Sequence, residues 1–133
     1  MTGVVADTHS LIWYLLDDTR LSQPAGAAFD AATAADCKIY VPTICIVEMT
    51  YLVEKKRIVD EAWPLLERVL AEDHSPFQPI ELTLEIARAV RRIPRSAVPD
   101  LPDRVIAATA LAMGLPLVTR DGKIRASGIE TIW

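Results

Sequence analysis

The chain has 133 residues, of which 51% are hydrophobic and 24% are charged, and its formal net charge at pH 7 is −4. This balance is typical of one folded domain and excludes a disordered or fibrous chain. The longest apolar stretch, residues 105–118, is interrupted by Thr109, Gly114 and Pro116. It is shorter than the roughly 18 residues that indicate a membrane span. We therefore expect a single domain over residues 1–133 and no membrane-spanning segment.

The first elements alternate between strand and helix. GVVAD predicts a short strand, and THSLIWYLL repeats apolar residues at helical spacing, with Thr8 as a candidate cap. SQPAGAAFDAATAAD is Ala-rich and predicts a second helix capped by Ser22. The β-branched run CKIYVP then predicts a strand that ends at Pro42.

The rest of the chain continues the alternation. TICIVEMTYLVEKK predicts a helix led by Thr43, and VDEAWPLLERVLAED predicts another, with acids in its first turn and Pro64 early in it or at a kink. A strand, FQPIEL, and a helix, LEIARAVRRI, follow. RVIAATALAM predicts a helix that Gly114 closes, LPLVT a buried strand, RDGK a turn or short helix, and IETIW a terminal strand.

The start of the chain and its cysteines indicate where the protein resides. MTGVVADTHS contains no basic segment followed by an apolar one, so we do not expect a cleaved secretory signal. Cys37 and Cys45 lie in or beside apolar segments and form no CxxC pair. This favours buried, reduced thiols over a disulfide or a zinc site. Both features predict a cytoplasmic protein.

Strands that alternate with helices predict an α/β fold, in which a parallel sheet has helices on both faces. In such sheets the functional crevice lies at the carboxyl ends of the strands. The residues near those ends are largely acidic here. They are Asp7, Glu48, Asp100, Asp103 and Asp121.

Each acid also has a purely structural interpretation. Asp100 is a candidate N-cap with Asp103 at the third helical position, a variant of the capping box. Asp7 and Asp121 are suited to starting turns. Glu48 lies between apolar residues, so its structural alternative is a salt bridge to a Lys or Arg.

Convergence of these acids favours a metal site. Four or five carboxylates placed together raise one another's pKa unless a cation neutralises them. All-oxygen ligands, with no nearby Cys and only two His in the chain, favour Mg²⁺ or Mn²⁺ over zinc. Such sites activate water and stabilise phosphoryl oxygens, as in nucleases and phosphatases.

Three segments carry a resemblance to a known family. They are VVADTHSLIWYL, IVEMTYLVEKKRI and PDLPDRVIAATALAMGLPLVTRDGKI, which are spread over residues 4–124, so the resemblance spans essentially the whole chain. With them, the chain resembles the PIN-domain ribonucleases, and specifically the VapC-type toxins of bacterial toxin–antitoxin pairs. The resemblance implies a PIN-like three-layer sandwich with a parallel five-stranded sheet in the order 3-2-1-4-5 and helices on both faces.

The resemblance also implies an activity. It implies a Mg²⁺- or Mn²⁺-dependent endoribonuclease that hydrolyses RNA phosphodiester bonds, inhibits translation and arrests growth. Its acidic constellation corresponds here to Asp7, Glu48, Asp103 and Asp121, with Asp100 as a further acid of the same motif. Asp7 and Asp103 are expected to bridge the metal, and Glu48 and Asp121 to orient water or hold a second ion.

Three hydroxyl residues flank this constellation. Thr8, Ser10 and Thr119 are candidates to hydrogen-bond the carboxylates or the water at a metal. Their alternative is helix capping and bonding at the strand edge.

The partners follow from charge and from the resemblance. Residues 88–133 hold eight of the 14 Lys and Arg residues but only four of the 18 acids. This makes Arg104, Arg120 and Lys123 candidates to bind RNA phosphates. The resemblance implies a VapB-like antitoxin that covers the active site, a homodimer, and a higher assembly with the antitoxin. The apolar faces IWYLL and MTYLV are candidates to receive an amphipathic helix.

Other functions remain open from the sequence. A metal-free ribonuclease would need a histidine pair, and only His9 and His74 are present, far apart in the chain. A PIN-like module that binds RNA or protein without cutting is a second alternative. A receiver domain is a third, although the usual pair of adjacent acids after the first strand is missing.

Overall fold

The computed structural model describes residues 2–133, and the predicted strands and helices occur in the predicted order. The elements are β1 (Gly3–Ala6), α1 (Thr8–Leu15), α2 (Gln23–Ala34), β2 (Lys38–Pro42), α3 (Thr43–Glu54), α4 (Ala62–Ala71), β3 (Phe77–Ile80), α5 (Leu84–Ala89), a 3-10 turn (Val90–Arg92), α6 (Leu101–Met113), β4 (Leu117–Val118), α7 (Gly122–Arg125) and β5 (Thr131–Ile132).

The five strands form one parallel sheet in the order β3-β2-β1-β4-β5. The central strand β1 contributes Val4, Val5 and Ala6, all of which are buried. Successive strand side chains point to opposite faces of a sheet, so burial of all three means that both faces are covered. This confirms the predicted α/β fold and the strand order that the resemblance implies.

β1 begins with a close backbone approach that requires glycine. Gly3 has φ +129°, and a Cβ placed on it would lie 2.1 Å from the carbonyl oxygen of Lys38 on β2. No larger side chain fits there without moving the backbone of one of the two strands. Gly3 therefore helps to set the pairing that places the end of β1 opposite β2.

Helix ends confirm some of the predicted caps and correct others. The Ser22 side chain accepts from the backbone N–H of Ala25, and Gly114 closes α6 with φ 65°. Thr8 is not the cap of α1, because Asp7 holds that position and Thr8 is the first helical residue. Pro64 is the third residue of α4, and the acids predicted in its first turn precede the helix.

Cys45 is buried, Cys37 is only partly buried, and both are free. Among residues 2–133, none of the helices is long and apolar enough to span a bilayer.

Candidate active site

The five predicted acids line one cavity of about 340 Å³. The cavity lies where β1 and β4 end, because Asp7 directly follows β1, and Thr119 and Asp121 follow β4. α3 contributes Glu48, and the start of α6 contributes Asp100 and Asp103. The remaining lining residues are Thr8, His9, Ser10, Trp13 and Arg120.

Asp7 is the most rigidly held of the acids. It is only 9% exposed, and its Oδ1 accepts from the backbone N–H of Thr8 at 2.6 Å while its Oδ2 accepts from the Thr119 hydroxyl. Desolvation raises the pKa of Asp7 above its ordinary value, and the hydrogen bonds from Thr119 and Thr8 oppose that shift. A carboxylate buried with one donor on each oxygen has a fixed orientation.

Thr8 connects Asp7 to the acid on α3. Its hydroxyl donates to Glu48 Oε1 at 2.6 Å, while its backbone N–H binds Asp7. Desolvation raises the pKa of Glu48, although the hydrogen bond from Thr8 works against the rise. The salt-bridge interpretation of Glu48 is wrong, because the one ion pair among residues 2–133 joins Arg20 to Asp18.

The start of α6 holds two acids in succession. Asp100 is the N-cap, and its Oδ2 accepts from the backbone N–H of Asp103 at 3.1 Å, as the capping-box interpretation predicts. Desolvation raises the pKa of Asp103 to about 8, and the negative charges of Asp100, Asp7 and Asp121 add to the rise. This cluster of charges therefore opposes ionisation of Asp103 near neutral pH unless a cation offsets it.

Asp121 combines a place in the cavity with a cap. Its Oδ1 accepts from the backbone N–H groups of Lys123 and Ile124 at the start of α7. Its own backbone N–H donates to the Thr119 hydroxyl oxygen at 3.0 Å. The hydroxyl of the buried Thr119 therefore joins Asp121 to Asp7, because it accepts from the first and donates to the second.

Two of the predicted roles require correction. The Ser10 hydroxyl lies 2.7 Å from the carbonyl oxygen of Val118 and 3.0 Å from that of Asp7, so it ties α1 to β4 rather than binding a carboxylate. The Arg104 guanidinium donates to the carbonyl oxygens of Val90 and Ile93. Because it holds the 3-10 turn against α6, we remove Arg104 from the predicted RNA path.

Arg120 and Lys123 are both exposed, but only Arg120 lines the cavity. Its guanidinium carbon lies 4.6 Å from the centre of the Trp13 ring. Trp13 was not predicted as a site residue, because core packing explains the apolar residues of its helix. The signal that could have found it is its spacing, since Trp13 lies one helical turn after His9 on the same face of α1.

The histidines do not form a pair in the cavity. His9 lines it, but His74 follows α4 and does not. Desolvation lowers the pKa of His9, which disfavours the protonated form that a metal-free mechanism needs as its acid. The geometry therefore argues against the histidine-pair alternative.

The donor set suits a hard divalent cation. All five acids offer oxygen, and the raised pKa of Asp7, Glu48 and Asp103 reflects burial and crowding that a cation would offset. Within residues 2–133, no three His, Cys, Asp or Glu side chains lie close enough together to hold a metal ion between them. Mg²⁺ needs no such group of three, because it commonly uses one or two carboxylates and keeps several waters.

The chain was compared with known families and proteins. The PIN domain family matches residues 4–128. Ribonuclease VapC22 from Mycobacterium tuberculosis (strain ATCC 25618 / H37Rv) is 33% identical over 128 residues, which cover 95% of this chain and 92% of that protein.

Solved structures share the fold at lower sequence identity. VapBC2 from Rickettsia felis, bound to a DNA fragment from its promoter, matches with a TM-score of 0.72 at 15% identity, over 98% of this chain and 97% of that one. A toxin–antitoxin complex from Klebsiella pneumoniae matches with a TM-score of 0.70 at 23% identity, with the same coverage. With the family match and the 33% identity to a VapC ribonuclease, these results show that the chain belongs to the PIN-domain family, among its VapC-type members.

Proposed function

We propose that the protein is a Mg²⁺- or Mn²⁺-dependent endoribonuclease that acts as the toxin of a toxin–antitoxin pair. The observation that carries this proposal is the cavity in which five carboxylates meet at the ends of β1 and β4. Grouped acids with raised pKa values are typical of functional sites rather than of stabilising ones. The resemblance of the whole chain to a ribonuclease supports RNA as the substrate.

Asp7 and Asp103 are the residues that would hold the metal, and Asp100, Glu48 and Asp121, which line the same cavity, would bind its waters or a second ion. When bound, Mg²⁺ or Mn²⁺ supplies a Lewis acid that lowers the pKa of water and offsets charge on the scissile phosphate.

Hydrogen bonds within the protein orient the carboxylates of Asp7 and Glu48. Thr119 and the N–H of Thr8 fix both oxygens of Asp7, and the Thr8 hydroxyl binds only Oε1 of Glu48, which lines the cavity. Glu48 is positioned to accept the proton of the attacking water, and its raised pKa makes it a better base than an exposed glutamate.

The phosphate backbone of the substrate needs positive charge to offset this acidic cavity. Arg120 supplies it at the rim of the cavity, and Lys123 supplies it on α7, next to Asp121. We propose that these two residues line the RNA path.

A cleavage assay tests the proposal. Wild type, Asp7→Asn and Asp103→Asn are incubated with total cellular RNA in Mg²⁺, Mn²⁺ or EDTA, and the cut ends are mapped. Asp36→Asn is the matched control, because Asp36 is exposed, lies outside the cavity and has a backbone conformation that Asn tolerates. We expect cleavage by wild type and the control with either metal, and none by the site variants or in EDTA. Cleavage that survives EDTA or both substitutions would rule out the metal–carboxylate mechanism.

The remaining proposals concern partners. VapBC and other toxin–antitoxin complexes share this fold, and we propose a VapB-like antitoxin that covers the cavity. Expression of the toxin alone is expected to arrest growth, and the Asp103→Asn variant is expected to be harmless. We also propose a homodimer, to be measured by light scattering, and action in the cytoplasm, where the RNA substrate is found.

A further inference from the structure

The indole ring of Trp13 on α1 makes cation–π contacts with two arginine side chains. Trp13 is 3% exposed, and the guanidinium carbons of Arg120 and Arg20 lie 4.6 Å and 5.3 Å from its ring centre. The His9 and Trp133 rings lie 5.6 Å and 5.9 Å away. Two arginines beside one indole repel each other, so each must be stabilised there by other contacts.

The two arginines are held differently. Asp18 binds Arg20 through both carboxylate oxygens, at 3.1 Å to Nε and 2.8 Å to Nη2, so the charge of Arg20 is neutralised and its plane is fixed. In residues 2–133, Arg120 has no acidic partner within ion-pair distance. Its charge and its outer face therefore remain available to a ligand.

The position of Arg120 is set by its neighbours in the chain. It lies between Thr119, whose hydroxyl binds Asp7, and Asp121, whose backbone N–H binds that same hydroxyl. The backbone of Arg120 is thus anchored to the carboxylate cluster. Its side chain is exposed, and its guanidinium carbon lies over the ring of the buried Trp13 while Arg120 also lines the cavity.

We propose that Arg120, backed by Trp13, is a stacking platform for the nucleobase next to the scissile phosphate, with His9 at its edge. This inference rests on the proposed function and deepens it, because it assigns Arg120 a contact to the base beside the scissile phosphate. Guanidinium planes and aromatic rings stack on unpaired bases, whereas the bases of an A-form helix are stacked on one another and are not accessible. A contact to phosphate alone would need charge but no plane.

The test distinguishes the effect of the planar guanidinium group of Arg120 from the effect of its positive charge. Arg120→Lys keeps the charge and loses the plane, and Arg68→Lys on the exposed face of α4 is the matched control. The substrates are a single-stranded RNA with one cut site and a series in which one nucleotide near the cut is abasic. For wild type, we expect one abasic position to lower kcat/KM about tenfold, mainly through KM, as loss of a stacked base predicts.

We expect Arg120→Lys to cleave intact RNA about tenfold less well, and to lose nothing further at that abasic position. Arg68→Lys is expected to behave as wild type. Trp13→Leu, with its folding checked by thermal unfolding, is expected to lose the abasic sensitivity as well. Retention of wild-type abasic sensitivity by Arg120→Lys would overturn the proposal and leave Arg120 as a phosphate contact.

Binding measurements distinguish failure of this inference from failure of the proposed function. Anisotropy with the same RNA series is measured on Asp103→Asn, with and without Arg120→Lys, so that the result does not depend on cleavage. A platform without ribonuclease activity would show the abasic effect in binding and no cut RNA with wild type. Ribonuclease activity without a platform would show cleavage and no abasic effect in either assay.

Discussion

The β1–α1 junction and the start of α6 both place aspartates in the same cavity, but they hold them in different ways. At the junction, Asp7 is buried and has a donor on each oxygen. At the start of α6, Asp103 is half-buried among like charges, and its pKa is raised to about 8. The first region is oriented by hydrogen bonds. The second is destabilised by burial of Asp103 and by repulsion from its neighbours, both of which a cation would offset.

Removing the carboxylate charge in each region gives the largest expected effect. Asp7→Asn and Asp103→Asn are each expected to lower RNA cleavage at least about 100-fold, because both would hold the metal. Asp103→Asn is also expected to raise the free energy of unfolding at pH 8 in EDTA, since it removes a crowded charge. Chemical denaturation measures this. A less stable Asp103→Asn protein would contradict the description of that region as strained by charge.

Thr119→Val disrupts the hydrogen bonds of the junction while keeping the side-chain shape. It leaves Asp7 Oδ2 without its donor and the Asp121 N–H without its acceptor, so we expect a loss of about 1–3 kcal/mol in the free energy of unfolding. A loss of about tenfold in kcat is expected as the orientation of Asp7 relaxes. Thr119→Ser is the control and should retain most of both. Wild-type kcat in Thr119→Val would show that Asp7 does not need this bond.

Burial raises the pKa of both Asp7 and Asp103. Without metal, both regions are therefore expected to lose stability as the pH rises. The pKa of Asp103 is about 8 in the folded protein and about 3.9 in an unfolded chain, so the folded state binds the proton more tightly. Its stabilising contribution is complete below about pH 4 and is lost as the pH rises through 8. In EDTA we expect the free energy of unfolding to be lower at pH 8 than at pH 5, and Mg²⁺ to restore it at pH 8.

Asp103→Asn is expected to flatten that pH dependence, and Asp36→Asn to leave it unchanged. Stability that rises between pH 5 and pH 8 in EDTA would contradict the raised pKa. Mg²⁺ that stabilises Asp7→Asn and Asp103→Asn as much as wild type would place the ion elsewhere.

Substitutions of Asp100 are expected to have the smallest effect on stability. Two of them distinguish its role as a helix cap from a role in metal binding. Asp100→Ala removes the N-cap of α6 and is expected to cost about 1 kcal/mol of unfolding free energy, whereas Asp100→Asn keeps a capping oxygen. If Asp100 also binds the metal, Asp100→Asn lowers cleavage with little change in stability. Full activity in Asp100→Asn would leave it as a cap alone.

The gathering of the acids around one cavity follows from chain order. Asp7 and Asp121 lie just after strands, and the carboxyl ends of parallel strands meet at one edge, so the acids were expected to converge. Ser10 and Arg104 were assigned wrongly because a hydroxyl or a guanidinium binds any acceptor within reach. Spacing along the chain does not specify whether that acceptor is a carboxylate or a carbonyl.

Sequence patterns alone predict the order of strands and helices along the chain, the caps at Ser22 and Asp100, and the close of α6 at Gly114. These depend on hydrogen bonds and periodicity within a few residues, which local residue types encode. Contacts between side chains from distant parts of the chain are set by tertiary packing. The Thr119–Asp7 bond and the cation–π contact of Arg120 with Trp13 join residues more than a hundred positions apart. Such contacts depend on how the strands and α1 pack together, and no local pattern records that packing.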